Sequence, residues 1–146
     1  MHVNLNPDHP DPAYHCGRLM AIFAALQYRA LGNVGAGVVQ RYYAAASSTP
    51  ALVLGRLTRS AQFHLDKLER GGAYYFEGLL AEVWSHIRDR VPATLSLEQQ
   101  SLFALGYYQQ IAHDRGIRRE TGAVAASRDA AAPNAAAEEI GHVEAN

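Results

Sequence analysis

The stretch DPAYHCGRLMAIFAALQYRALG at residues 11–32 decides the fold, because it carries the start, the core face and the end of one long helix. Asp11 is a suitable N-cap, Pro12 suits the first helical position, and Gly32 marks the end. Between them, apolar side chains recur at i, i+3, i+4 and i+7, which predicts one buried stripe. The stripe consists of Cys16, Leu19, Ile22, Phe23, Leu26 and Ala30.

Proline and glycine residues divide the following sequence into further segments with helical spacing. A Gly-rich connector, GNVGAG, follows the first helix, and Thr49-Pro50 and Gly71-Gly72 mark other boundaries. Ser96 and Gln99 form a capping box at the start of the last helix. No segment alternates β-branched residues as a strand would. The sequence therefore predicts an all-α protein, a compact bundle of about five helices over residues 12–31, 38–46, 50–70, 74–91 and 96–116, with a disordered C-terminal tail.

One glycine inside the last predicted helix indicates how that helix packs. Gly106 costs about 1 kcal/mol relative to alanine at an interior helical position. A close crossing of two helices is the simplest reason for a glycine there, so we expect another helix to approach at Gly106.

Length and composition indicate one ordinary globular domain. The chain has 146 residues, 49% of them apolar and 18% charged. It has no apolar run of roughly 18 residues and no signal-peptide layout at the N-terminus, so we expect a cytoplasmic protein without a membrane segment. Its one cysteine, Cys16, excludes an internal disulfide, and we expect a buried thiol.

Charge divides the chain into three predicted segments. Residues 1–12, an N-terminal extension, carry two acids and no Lys or Arg. Residues 13–119, the helical bundle domain, carry twelve Lys and Arg against seven acids, a net +5. Residues 120–146 carry five acids against one Arg, and the Ala-rich sequence from 123 onward has no aromatic residue. We therefore predict a basic folded domain followed by a disordered acidic tail.

The third predicted helix has a basic face. On a helical wheel its apolar residues cluster within roughly 80°, and its cations cluster on the opposite side, with Phe63 among them. Such a face attracts phosphates regardless of base sequence, and Phe63 is suited to stacking on an unpaired base. The alternative is an ordinary solvated helix face. The core residues are Leu54, Leu57, Ala61, Leu65 and Leu68, and the cations are Arg56, Arg59, Lys67 and Arg70.

Catalytic and metal-binding patterns are missing from the sequence. The seven histidines include no pair at the i, i+4 spacing of helical zinc sites. Glu82 and His86 are expected to pair at the surface, and His64 is expected to pack or to hydrogen bond. GNVGAG lacks the strand and the Lys-Ser/Thr of a phosphate-binding loop. We predict a non-enzyme without metal or cofactor; a small helical enzyme using His64 or His113 is the alternative.

Four segments carry a family resemblance. They are AYHCGRL at 13–19, RYYAAASSTPA at 41–51, HLDKL at 64–68 and LSLEQQSLFALGYYQQ at 95–110. In this order they resemble the C-terminal region of the large subunit of the type I-C CRISPR Cascade complex, over about residues 6–115. The region of a large subunit that reads the PAM is missing, so the chain resembles the separate small subunit of this subtype, which that family makes from an internal translation start.

The resemblance implies a helical, non-catalytic subunit of the ribonucleoprotein complex, active in antiviral defense. Its implied partners are the Cascade backbone subunits, the large subunit and a second copy of itself. Its implied role is to stabilise the R-loop by binding the displaced single-stranded DNA, with the crRNA–target duplex nearby. The alternative is a helical adaptor that acts only in subunit docking.

The predicted nucleic-acid site combines the resemblance with the helical wheel. Arg18, Arg41 and Lys67 stand at positions where the family pattern tends to be basic, although Arg18 and Arg41 have the alternative of pairing with acids inside the bundle. Four tyrosines in the matched segments are expected to pack rather than to stack on bases: Tyr42, Tyr43, Tyr107 and Tyr108. The complete predicted site is Arg18, Arg41, Arg56, Arg59, Phe63, Lys67 and Arg70.

Overall fold

The computed structural model describes residues 4–87 and 90–144, and for residues 118, 121 and 123–144 it describes the backbone alone. Within these residues it contains five α-helices and no strand, which confirms the predicted all-α bundle. No helix among them combines the length and the apolar character needed to cross a membrane. The helices are α1 Pro12–Leu31, α2 Val38–Ser48, α3 Pro50–Asp66, α4 Arg70–Ile87 and α5 Leu97–Glu144.

The chain divides into two compact units, Met1–Ala112 and His113–Asn146. The first unit holds α1 to α4 and the first part of α5. In the second unit the backbone of α5 continues past Gly116, where we expected the helix to end, to Glu144. The predicted limits of the bundle domain and the predicted disorder of the tail stay predictions.

The first unit is built around α1. The Asp11 side chain caps the helix by accepting a 2.9 Å hydrogen bond from the backbone of Ala13, and Gly32 ends it with a φ of 73°. Residues 13–23 are buried without a break. The prediction of one apolar stripe was therefore incomplete, because α1 packs against α2, α3 and α4 and is surrounded by them.

The backbones of α1 and α5 touch where the helices cross. A methyl group added at Gly106 would overlap the carbonyl of Tyr14, and one added at Gly17 would overlap the carbonyl of Phe103. The close crossing predicted from Gly106 is confirmed. Its counterpart Gly17 was not foreseen, because Gly17 lies in a helix whose apolar spacing already explained its burial.

The turn between α3 and α4 differs from the prediction. α3 ends at Asp66 rather than Arg70, and Leu68 leaves the helix and packs against the core. The Glu69 carbonyl accepts a 2.9 Å hydrogen bond from the backbone of Ala73, and its carboxylate lies so close to Gly72 that a Cβ there would clash. The absence of a side chain at Gly72 therefore leaves space for the Glu69 carboxylate at the start of α4. Contrary to our prediction, Gly72 does not end α3.

Two backbone hydrogen bonds fasten the connector between α4 and α5. The N–H of Leu95 donates to Ser48 at 2.9 Å, and the N–H of Ala51 donates to Pro92 at 3.1 Å. The connector ends in the predicted capping box, in which Ser96 and Gln99 each accept a 3.1 Å hydrogen bond from the other's backbone. These contacts set where α5 begins and hold its first turns against the bundle.

Candidate nucleic-acid interface

The outer face of α3 carries four exposed residues in one line, which we call the α3 stripe: Leu52, Arg56, Arg59 and Phe63. They fall within roughly 60° of one another at about 100° per residue. At about 1.5 Å rise per residue the stripe is about 16 Å long. The opposite side of α3 carries the buried residues predicted from the wheel, Leu54, Leu57, Ala61 and Leu65. Packing of that side therefore fixes the direction in which the stripe points.

The α3 stripe places two exposed cations between two exposed apolar side chains. Leu52 is 78% exposed and Phe63 is 71% exposed, although both are large apolar side chains. Arg56 and Arg59 are exposed and form no ion pair with any residue that the structure describes. Asp66, exposed at the end of α3, is the nearest acid along the helix. The stripe therefore presents two free guanidinium groups between two exposed apolar side chains.

Lys67 and Arg70 are exposed as predicted, but they do not belong to α3. Lys67 caps the C-terminus of α3, where a cation is favoured by the helix dipole. Arg70 is the first residue of α4. The expectation that both continue the face of Arg56 and Arg59 on one helix was wrong, because α3 ends four residues earlier than the apolar spacing indicated.

Glu69 lies between these two cations in the sequence, and its carboxylate pairs with an arginine of α1. Its carboxylate accepts a 2.9 Å hydrogen bond from Arg29 at the end of α1. Its own backbone N–H, followed by the hydrogen bond and charge of Arg29, holds the pKa of the Glu69 carboxyl below its usual value. Lys67 and Arg70 form no ion pair among the described residues.

The other two predicted cations lie elsewhere in the bundle. Arg41 is exposed on α2, so the structure places it on a second helix, outside the α3 stripe. Arg18 is only 1% exposed, in the middle of α1. The assignment of Arg18 to a nucleic-acid site is therefore corrected, since its guanidinium cannot reach a phosphate while the bundle is folded.

Arg18 is the centre of a buried polar network. Its guanidinium donates at 2.9 Å to Gln110 of α5 and at 2.9 Å to Glu82 of α4, and it lies 3.2 Å from Nδ1 of His15. Glu82 also accepts from His86 at 3.1 Å, which confirms the pair predicted from their i, i+4 spacing. Pairing of Arg18 with an acid inside the bundle was the open alternative, and the structure shows it.

His15 extends this network to the segment before α1. Because Nδ1 faces the donating Arg18, the proton lies on Nε2, which donates to the carbonyl of His9 at 2.7 Å. Burial, followed by the positive charge of Arg18, lowers the pKa of His15. The His15 ring also stacks on His86 at 4.8 Å. These satisfied contacts join three helices and the N-terminal segment, which is a structural role.

The two histidines of the enzymatic alternative, His64 and His113, lie on different helices of the described structure, α3 and α5. His64 is half-buried, and burial followed by the charge of Lys67 lowers its pKa, while His113 is exposed. No cluster of three metal-binding side chains occurs among the residues that the structure describes. The Tyr43 ring packs edge-on against the rings of Phe103 and Tyr107, with centroid distances of 5.4 and 5.1 Å. Packing is therefore confirmed for Tyr43 and Tyr107.

A second exposed face, on α5, has no charged group among its central residues. Leu97, Leu105 and Tyr108 are exposed there and fall within roughly 80° of one another on the helix. We call them the α5 face. Sequence reasoning did not single out this face, because the same motif also supplies the buried Phe103 and Tyr107. An uncharged apolar face of this kind suits a protein surface better than a phosphate backbone.

Comparison with known proteins identifies the family of this chain. A family model described as CRISPR-associated protein (Cas_Csd1) matches residues 1–113, a range that includes α1 to α4 and both exposed faces. No curated protein matches the chain at a significant level. Because the family match covers more than half of the sequence, the chain belongs to the CRISPR-associated protein (Cas_Csd1) family.

Proposed function

We propose that this chain is the non-catalytic small subunit of a type I-C Cascade effector in the cytoplasm. In this role it stabilises the R-loop by sequence-independent contacts to the displaced DNA strand. The observation that carries the proposal is the α3 stripe, in which Arg56 and Arg59 stand free of ion pairs with the described residues. Membership of the CRISPR-associated family supports the setting, a ribonucleoprotein complex that handles DNA.

The energetics of R-loop formation explain why two cations matter. The guide–target heteroduplex is about as stable as the DNA duplex that it replaces, so protein contacts to the backbone tip the exchange. Each Lys or Arg that neutralises a phosphate releases condensed counterions, which favours binding at low salt. Arg56 and Arg59 would contribute this counterion release without reading the base sequence.

The apolar members of the stripe favour an unpaired strand over a duplex. Bases in the displaced strand are free to stack on an exposed aromatic ring, whereas bases in a duplex are already stacked. Phe63 offers that ring one helical turn from Arg59. We therefore propose that Arg56, Arg59 and Phe63 contact the displaced strand, with Arg41, Lys67 and Arg70 as further exposed cations on neighbouring elements.

The α5 face is the surface proposed for contact with protein. Its exposed side chains are apolar and uncharged, which fits the desolvated centre of a protein interface. Through it the chain would bridge the backbone subunits, the large subunit and a second copy of itself. A purely docking role, without nucleic-acid contact, is the second candidate function, and this face is the observation in its favour.

Reconstitution of the complex tests the proposal. R-loop formation is measured over a range of salt concentrations with the native chain, without the chain, and with the double variant Arg56→Gln/Arg59→Gln. We expect the double variant to weaken R-loop formation at low salt and to reduce the salt slope by about 1.4, at about 0.7 per single-strand phosphate contact. Arg90→Gln, which removes another exposed arginine outside α3, is the matched control.

Equal affinity and equal slope for the double variant and the native chain would refute the electrostatic role. Intact R-loop affinity combined with impaired incorporation of the double variant would support the docking function instead. The amount of chain in the purified complex distinguishes the two results.

A further inference from the structure

A groove lies between the end of α1, the connector that follows it and the start of α2. Its volume is about 220 Å³. At about 30 Å³ per water molecule this is room for about seven waters, which also accommodates one heterocyclic ring system. The groove is lined by Ala24, Gln27, Tyr28, Gly32, Asn33, Val34, Gly37, Val38, Val39 and Gln40.

The lining has a distinctive chemistry. None of its residues carries a charge, and its polar side chains are three amides, Gln27, Asn33 and Gln40, together with the phenol of Tyr28. Valines and alanine supply the apolar remainder. The lining itself offers no counter-charge to an ionised group, whereas an uncharged planar ring with donors and acceptors at its edge would find both stacking and hydrogen-bonding partners.

Local contacts hold the groove in shape. The backbone N–H of Val38 donates to the side-chain oxygen of Gln27 at 2.9 Å, which ties α1 to the first residue of α2. The Gln27 side chain also carries an amide NH₂ group, which is a hydrogen-bond donor. Gly32 adopts a φ of 73°, which residues other than glycine rarely adopt, and it ends α1 one turn after Tyr28. Tyr28 is 61% exposed, so its ring is accessible from solvent.

We propose that this groove binds one unpaired nucleobase, which stacks on Tyr28 and is held at its edge by amides of the lining. The proposal rests on the proposed function, because the displaced strand is the source of unpaired bases. Amides are side chains that hydrogen bond to base edges, and aromatic rings are the usual stacking partners of splayed bases. The exposed Arg41, in the first turn of α2 after Gln40, is the cation available to the phosphate of the same nucleotide.

The groove contributes something that the α3 stripe does not. The cations of the stripe act on the backbone, and Phe63 stacks on whichever base lies near it, whereas a base held in the groove fixes one nucleotide and so sets the register of the strand. The groove therefore predicts that one position of the displaced strand, and not its neighbours, is withdrawn from solvent.

Fluorescence of 2-aminopurine tests this in the reconstituted complex. The probe is placed at successive positions of the displaced strand, and the R-loop is formed with the native chain and with Tyr28→Ala, Tyr28→Phe and Ala24→Met. We expect quenching at one position that is lost with Tyr28→Ala and with Ala24→Met, which fills the groove, and is kept with Tyr28→Phe. Tyr74→Ala, which removes an exposed tyrosine of α4, is the control and should keep it.

A second measurement uses the full chain alone with a normal and an abasic single-stranded oligonucleotide at low salt. We expect Tyr28→Ala to weaken binding of the normal oligonucleotide about fivefold or more, since stacking contributes strongly per base. Binding of the abasic oligonucleotide should not change. Unchanged binding of both, together with position-independent fluorescence, overturns the proposal.

The outcomes separate this inference from the proposed function. If Arg56→Gln/Arg59→Gln weakens R-loop formation while the Tyr28 and Ala24 variants behave as native, the groove binds no base but the function stands. If neither set has an effect, the function fails as well. If Ala24→Met reduces incorporation into the complex and leaves DNA binding intact, the groove is a socket for a partner protein, and the proposal is overturned.

Discussion

Arg18 of α1 donates a 2.9 Å hydrogen bond to Glu82 of α4, and the arginine is buried while the glutamate reaches the surface. The two residues are 64 positions apart in sequence, and their contact joins α1 to α4. Because a buried guanidinium is costly without a counter-charge, the Glu82 carboxylate stabilises the packing of α1 against α4.

Replacing Glu82 should therefore destabilise the bundle. We expect Glu82→Ala to lower the free energy of unfolding by about 3 kcal/mol, because it leaves the buried Arg18 without its counter-charge. Glu77→Ala removes an exposed acid of the same helix that has no ion pair among the described residues, and it should change the value by less than about 0.5 kcal/mol. Urea denaturation measures both; equal losses would contradict the role of the pair.

Replacement by alanine should have opposite effects on stability at Gly106, in the α1–α5 crossing, and at Gly78, in α4. Gly106→Ala should cost about 1–3 kcal/mol or more, because the added methyl group overlaps the Tyr14 carbonyl and forces the helices apart. Gly78→Ala lies inside α4 with no atom near its added Cβ, and it should stabilise the protein by about 0.5–1 kcal/mol. Thermal unfolding measures the stability of both variants. An unchanged stability of Gly106→Ala would rule out a tight crossing.

Stability should fall as the solution becomes acidic. Burial and the charge of Arg18 lower the pKa of His15 from 6.5, and burial lowers that of His64 in the same direction. Below about pH 6.5 the unfolded chain therefore binds protons that the folded chain refuses, so stability present above that pH is lost as the pH falls through the folded pKa values.

The variant His15→Gln isolates the contribution of His15 to this pH dependence. It keeps a donor for the His9 carbonyl but cannot titrate, so its unfolding free energy should decline less than that of the native chain between about pH 7.5 and about pH 5. His64→Gln reports the separate contribution of His64. Parallel curves for His15→Gln and the native chain would show that His15 gains its proton without penalty in the fold.

Changing the α5 face should affect assembly and not folding. Leu105→Ser/Tyr108→Ser removes two exposed apolar side chains, so the unfolding free energy should stay within about 0.5 kcal/mol of the native value. We expect less chain in the purified complex, because the centre of the proposed protein contact is lost. Tyr74→Ser, at an exposed tyrosine of α4, is the matched control, and equal incorporation of both variants would exclude the face as a contact.

Local patterns predicted much of the fold. Asp11, Pro12 and Gly32 bounded α1, the Ser96–Gln99 box started α5, and Gly106 indicated a close crossing; each is a short-range signal, and each is confirmed. The resemblance to a CRISPR-associated family is confirmed too, while the type I-C assignment stays with the proposed function. The end of α3 failed because the apolar spacing continues to Leu68, and only packing showed that Leu68 leaves the helix.

The residues of the predicted site also fall into those that local helical geometry placed correctly and those that depended on tertiary packing. Arg56, Arg59 and Phe63 were placed on one exposed face by helical geometry alone, and the structure shows them there. Arg18 was misplaced, because an arginine inside a helix has the same local sequence pattern whether its guanidinium meets a carboxylate of another helix or solvent.

By itself, then, the amino-acid sequence determined where α1 and α5 begin and that Arg56, Arg59 and Phe63 share an exposed face, since these depend on residues within a few turns of one another, and its four matched segments indicated the family. Only the tertiary structure decided which charged residues pair inside the bundle, as Arg18 does with Glu82, and which helix faces stay exposed. That decision depends on which distant residues meet, and a buried charge is stable only where the fold brings its counter-charge.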